Sequence, residues 1–152
     1  MAFWDSSAIV PLLCRQAETS IIRQHWRRLG RIVIWWGTPV EVQSALARLR
    51  RDGEITDKEL DQAVKKLVML RDSWSEITPS VRLREIAETL PGTNNVRAAD
   101  ALQLAAALVW TNEHARNKPF VCFDKLLIEA ARARGFAVYE YKTPRGAKKS
   151  RI

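Results

Sequence analysis

Residues 31–53 read RIVIWWGTPVEVQSALARLRRDG, and the two halves of this stretch follow different periods. RIVIWW, at 31–36, is a short run of β-branched and aromatic residues, as expected of a strand buried on both faces. From Thr38 the pattern becomes helical. Thr38 reads as an N-cap, Pro39 takes the first helical position, where a missing N–H does no harm, and Glu41 the third. Asp52-Gly53 ends the helix. A strand running straight into a long helix is half of a βαβ unit, and such units build parallel sheets.

The same alternation extends outward in both directions. AFW at 2–4 reads as a brief strand, followed by helical residues from Ser6 to Leu13 and a helix through about Leu29. Thr56-Asp57-Lys58-Glu59 is a capping box opening a helix whose Leu60, Val64, Leu67 and Leu70 form one apolar stripe. With a short polar connection, the helix pair over 39–73 could project as a hairpin. SEIT at 75–78 reads as a third strand, a helix runs to about Leu90, and Pro91-Gly92-Thr93-Asn94-Asn95 reads as a loop. RAADALQLAAALVW at 97–110 is helical, FVCF at 120–123 a strand, 125–134 a helix ended by Gly135, and AVYEY at 137–141 the last strand. These elements predict a single α/β domain over 1–141: an αβα sandwich with a short-stranded, mainly parallel central sheet. Residues 142–152 form a basic tail expected to be flexible.

The chain of 152 residues, 47% hydrophobic and 28% charged, has the composition of a globular protein. MAFWDSS lacks a basic region, so no signal peptide is expected. The longest apolar run, Leu104 to Trp110, is far shorter than the roughly 20 residues of a membrane span. Cys14 and Cys122 make no disulfide framework, and with His25 and His114 far apart no structural zinc site is expected. A reducing cytoplasm suits such a chain. The net charge of +8 is uneven: Lys142, Arg145, Lys148, Lys149 and Arg151 crowd the tail, and Arg23, Arg27, Arg28 and Arg31 surround His25 and Trp26. Basic surface of this kind suits a polyanion, most plausibly nucleic acid.

Four acids stand out against that charge. Ligands of parallel α/β sheets gather outside the carboxyl ends of the strands. Asp5 ends AFW, Asp124 ends FVCF, and Glu41 lies in the first turn of the helix after RIVIWW. Asp100 heads a helix whose only other polar side chain to Trp110 is Gln103. It shares a face with Gln103, Leu104 and Ala107; a carboxylate buried there without partners would cost several kcal/mol, so something is expected to compensate it. Each acid also has a plainer explanation: Asp5 and Asp124 as N-caps, Glu41 as a capping-box member, Asp100 as a dipole or Arg97 partner. Together at one sheet edge they point instead to a divalent cation, Mg²⁺ or Mn²⁺, which favours carboxylate oxygens. An acidic metal pocket within a basic surface is what a nuclease needs.

FWDSSAIVPLL, TPVEVQSALARL, AADALQLAAAL and FVCFDKLLIEAARARGF, in that order, resemble the PIN domain, most closely the VapC-type toxins of toxin–antitoxin modules. The resemblance runs from residue 3 to about 141. It implies a Mg²⁺- or Mn²⁺-dependent endoribonuclease with Asp5, Glu41, Asp100 and Asp124 as the acidic site. Asp5 and Asp100 would be the main metal ligands. Glu41 and Asp124 would bind a second ion or orient water, Asp124 counting with the metal set. Ser6 or Ser7 would support the site through a hydroxyl, and Arg97 would contact phosphate or pair with an acid. Arg23, Arg27 and Arg28 would hold RNA. The resemblance also implies a homodimer and a small cognate VapB-type antitoxin. Cys122 stands where many relatives carry a hydroxyl residue, and Trp35-Trp36 and the basic tail have no counterpart in the family pattern.

A competing reading is a non-catalytic nucleic-acid-binding module that uses the basic helix and tail. It predicts salt-sensitive binding indifferent to metal, whereas a metal-dependent nuclease stops with chelator.

Overall fold

A computed structural model describes residues 1–141; the basic tail expected over 142–152 lies outside the described residues. Five short strands form one sheet: β1 (Ala2–Trp4), β2 (Ile32–Trp35), β3 (Ser75–Ile77), β4 (Pro119–Val121) and β5 (Ala137–Tyr139). Every pairing is parallel, in the order β3-β2-β1-β4-β5. The helices are α1 (Ser6–Leu13), α2 (Thr19–Leu29), α3 (Thr38–Arg51), α4 (Asp57–Arg71), α5 (Val81–Asn94), α6 (Ala98–Trp110) and α7 (Lys125–Ala133).

The pleat of the sheet divides the core in two. On one face Phe3, Val33 and Phe120 pack under α5, α6 and α7, with the Phe3 and Phe120 rings stacked at 5.3 Å. On the other, Trp4, Ile32, Ile34 and Val121 pack under α1 to α4. Neighbouring residues of one strand therefore enter opposite cores, and the strands read as unbroken apolar runs. β1 lies in the middle. The chain fills one side of it with β2 and β3, then crosses to the other with β4 and β5, so the strand order reverses between β1 and β4. That reversal opens a crevice at the carboxyl ends of the two strands.

Three expectations need correction. Thr38 is not an N-cap: Gly37 holds that place without a side-chain bond, and Thr38 is the first helical residue. Its hydroxyl is engaged by a residue distant in sequence, described below. Pro91-Gly92-Thr93 is not a loop but the last turn of α5. Pro91 cannot donate to the preceding turn, yet Leu90 is fully buried, Thr93 Oγ1 donates to the Thr89 carbonyl at 3.0 Å, and Asn95 ends the helix with φ 51°. The α3–α4 pair does not project either. Leu46, Leu49, Leu67 and Leu70 are buried together with Ile9 and Leu13 of α1.

Candidate active site

Asp5 and Asp124 are placed by the same device. Each follows a strand, adopts extended backbone and caps the next helix: Asp5 Oδ2 accepts the Ser7 N–H at 2.9 Å, and Asp124 Oδ1 accepts the Leu127 N–H at 2.9 Å. The Asp5 N–H continues the sheet by donating to the Val121 carbonyl at 3.0 Å. The acid at the end of β1 thus stands against the exit of β4, at the reversal point.

Asp5 is the buried carboxylate of the group, 3% exposed, whereas Asp100, which shares a helix face with apolar residues, is half-exposed. The reason is positional: Asp100 lies in the first turn of α6, at the rim, and the fully buried stretch of α6 begins beyond it. Burial pushes the Asp5 carboxyl above its usual range, against the hydrogen bonds from Ser7. Those bonds, 2.5 Å from the Ser7 hydroxyl and 2.9 Å from its N–H, both end on Oδ2. The Cys122 thiol reaches the same oxygen at 3.6 Å. Ser7 Oγ also accepts the Phe123 N–H at 2.9 Å, clasping the ends of β1 and β4 together. Cys122 is fully buried, and burial drives its thiol well above the ordinary value.

Glu41, in the first turn of α3, meets the group from the β2 side. Its Oε2 accepts the Ser6 hydroxyl at 2.9 Å and the Gln103 amide at 3.1 Å. Burial, opposed by the Gln103 bond and reinforced by the charges of Asp5 and Asp100, pushes the carboxyl up to about 6. Asp100 is raised as well, first by burial, then by the charges of Asp124 and Asp5, while the Arg97 backbone and guanidinium pull it down. Arg97 itself is exposed at the N-cap of α6, with no side-chain cap bond. Each acid is therefore within the field of others, and none of the ion pairs among the described residues includes any of the four.

Sequence reasoning saw Gln103 without giving it work. It is fully buried, and its Nε2 donates to Thr38 Oγ1 at 3.0 Å as well as to Glu41, while its Oε1 has no partner. The signal available was its isolation: one polar side chain on an apolar helix, three positions after Asp100.

The donor set is carboxylate and hydroxyl oxygen, the chemistry of a hard divalent cation. Among the described residues no three His, Cys, Asp or Glu side chains stand close enough to chelate one ion together. The donor set instead fits an ion held by one or two carboxylates that keeps several waters, as Mg²⁺ does. The basic residues are separate. Arg23, Arg27 and Arg28 are exposed on α2; Arg28 lies 5.8 Å over the Tyr139 ring, and Arg23 and Arg27 line a cavity of about 470 Å³ with Trp26. No hydrogen bond or ion pair among the described residues links these three arginines to the acids.

No protein-family description and no curated relative matches the chain. Solved structures do. VapBC2 from Rickettsia felis, bound to a DNA fragment from its promoter, superposes with a TM-score of 0.63 at 12% identity, covering 93% of this chain and 98% of that one. FitAcB from Neisseria gonorrhoeae gives 0.63 at 16%, with 91% and 96% covered. PAE2754 from Pyrobaculum aerophilum gives 0.60 at 16%, with 91% and 87% covered. At these identities the likeness is one of fold, over nearly the whole of both chains.

Proposed function

We propose that this chain, whose fold is that of VapC-type PIN domains, is a Mg²⁺- or Mn²⁺-dependent endoribonuclease and the toxin of a toxin–antitoxin module. One observation carries the reading. Asp5, Glu41 and Asp100 are held near the reversal point of the sheet with raised proton affinity, in each other's field, and none of them joins an ion pair among the described residues. Like charges so arranged favour an external cation.

Asp5 and Asp100 would hold the ion, and Asp124, on the β4 side, would orient its waters. Bound there, a divalent ion neutralises charge on the scissile phosphate and lowers the pKa of an attacking water. Asp5 Oδ2 is committed to Ser7, so its other oxygen is the one to offer. Glu41, with a pKa of about 6, is suited to accept a proton from a water near neutral pH. Ser6 and Gln103 keep its carboxylate turned to the pocket. Arg97, exposed one turn before Asp100, is placed to meet a phosphate.

The VapBC2 and FitAcB likenesses support a small cognate antitoxin as partner. An apolar trough of about 360 Å³ between α1, α2 and α4, with Leu12, Leu13 and Leu70 in its wall and Trp26 and Met69 at its rim, suits the apolar face of such a partner. Homodimerisation and RNA contact through Arg23, Arg27 and Arg28 belong to the same reading. No helix among the described residues is long and apolar enough to cross a membrane.

The test is RNA cleavage by purified protein with Mg²⁺ or Mn²⁺, with EDTA, and with Asp100→Asn beside the wild type. Cleavage that needs metal and disappears in a folded Asp100→Asn variant is expected. Salt-sensitive RNA binding indifferent to chelator, with no cleavage, would make the protein a binding module instead.

A further inference from the structure

Trp35 and Trp36 take no part in the acid pocket, and the structure treats them oppositely. Trp35 is 7% exposed, packed in the core beneath α5 and α6; Trp36 is 54% exposed. Their rings meet edge to face, centroids 6.3 Å apart at 69°. The Trp36 N–H donates to the Ile77 carbonyl at 3.0 Å, which fixes its backbone at the carboxyl end of the sheet. The next residue, Gly37, accepts the N–H groups of Val40 at 3.0 Å and of Glu41 at 3.3 Å. The exposed indole is therefore built on the same turn that positions an acid of the pocket. A large aromatic ring exposed on the turn that leads into Glu41 presents a surface on which a flat ligand can stack.

The helix beyond it continues the argument. Val40, Ser44, Arg48 and Arg51 make an exposed stripe along α3, with Val40 71% exposed. Neither Arg48 nor Arg51 joins an ion pair among the described residues. Arg48 lies about 12 Å along the helix from Val40. Trp36 stands just before α3, Glu41 in its first turn and Arg48 and Arg51 in its last, so ring, acid and basic stripe are carried by one helix and the turn that opens it.

We propose that Trp36 is a stacking platform for an unpaired base of single-stranded RNA next to the acid pocket, with Arg48 and Arg51 receiving phosphates farther along the same strand. This rests on the nuclease reading for the nature of the substrate. A paired base keeps its faces within the duplex, so the platform selects single strands. Stacking on an aromatic ring tolerates every base, so it supplies affinity and register rather than sequence specificity.

The experiment measures binding, not cleavage. In an Asp100→Asn background with EDTA, a fluorescein-labelled 12-nucleotide RNA of mixed sequence is titrated by anisotropy, alone and annealed to its complement. Trp36→Ala should weaken single-strand binding about tenfold, as the loss of one base–aromatic stack does. Trp36→Phe should recover most of it, and duplex binding should not move. Circular dichroism and thermal melts establish that both variants are folded. Single-strand affinity unchanged in folded Trp36→Ala would overturn the platform. So would a loss of self-association in Trp36→Ala by sedimentation, which would assign the ring to a second copy. The outcomes separate the two readings. Cleavage with Trp36-independent binding leaves the nuclease and removes the platform; Trp36-dependent single-strand binding in a wild type that never cleaves leaves the platform and removes the nuclease.

Discussion

Gln103 Nε2 stands 3.1 Å from Glu41 Oε2 and 3.0 Å from Thr38 Oγ1, so a single buried amide joins the middle of α6 to the first turn of α3. Gln103→Leu removes both bonds but also an acceptor, Oε1, that has no partner. The expected net loss is about 1–2 kcal/mol, or about 3–6 °C in Tm. Because the Gln103 bond favours the ionised form, Glu41 should titrate higher still in the variant, moving the acid limb of a cleavage–pH profile upward. Thermal melts and the pH profile, run on the same preparation, check both.

Glu41 sits above its ordinary 4.5, at about 6. An acid with a raised folded pKa binds its proton more tightly folded than unfolded. Below pH 4.5 both states are protonated and nothing is lost; between 4.5 and 6 the unfolded chain ionises first and stability falls; above 6 the full penalty stands. Glu41→Gln keeps the acceptor oxygen and removes the charge. Its Tm relative to wild type should therefore rise as pH goes from 4.5 to 6 and then level off. A difference flat across that range would remove the penalty from Glu41. Asp5 and Asp100, raised in the same direction, predict the same sign for their Asn variants.

Metal binding would relieve that repulsion. At a free Mg²⁺ or Mn²⁺ concentration a hundred times its Kd, the folded state gains about 2.7 kcal/mol, or about 5–10 °C in Tm. The gain should vanish in Asp5→Asn and persist in Asp57→Asn, whose ion pair with Arg50 lies on the surface away from the pocket. Calorimetric melts with and without metal decide it.

Gly37 predicts a steric effect. Its φ of −78° is open to any residue, but a Cβ there would stand 2.5 Å from Trp35 Nε1. Trp35 is buried and cannot swing aside freely, so Gly37→Ala should cost about 1–3 kcal/mol. The shift should be visible in tryptophan near-ultraviolet circular dichroism together with the melt.

Both thiols should be inert in the folded protein. Cys14 and Cys122 are buried free cysteines, and burial raises both above the ordinary thiol range. A disulfide reagent should label neither rapidly at pH 8 and both after denaturation. Fast labelling of Cys122 in the folded state would mean that the Asp5–Ser7–Cys122 cluster opens in solution.

The sequence disclosed what is local. Strand runs ending in Asp5 and Asp124 marked the sheet edge, because an acid after a buried strand is visible as a sharp change in polarity. The capping box at Thr56 formed as read. Thr38 was misleading because Thr-Pro-x-Glu looks the same whether the hydroxyl caps its own helix or bonds to another. Only Gln103, 65 positions away, decides between them. The burial of Asp5 rather than Asp100 was hidden for a similar reason. It depends on where α6 starts relative to the sheet edge, and helical periodicity reports which face is covered, not how far along.

The clasp between Ser7 and Phe123, which joins residues 116 positions apart, sets an order of events during synthesis. The strand carrying Asp5 is made first, yet one of its two neighbours in the sheet, β4, is made after most of the chain. A growing polypeptide that has released Asp5, Glu41 and Asp100 still lacks the partner strand that closes the reversal point. Contacts of such long sequence separation form late and slowly. A chain truncated before β4 would carry three of the four acids and no closed reversal point, so the acid cluster arrives with the completed fold and is absent from its fragments.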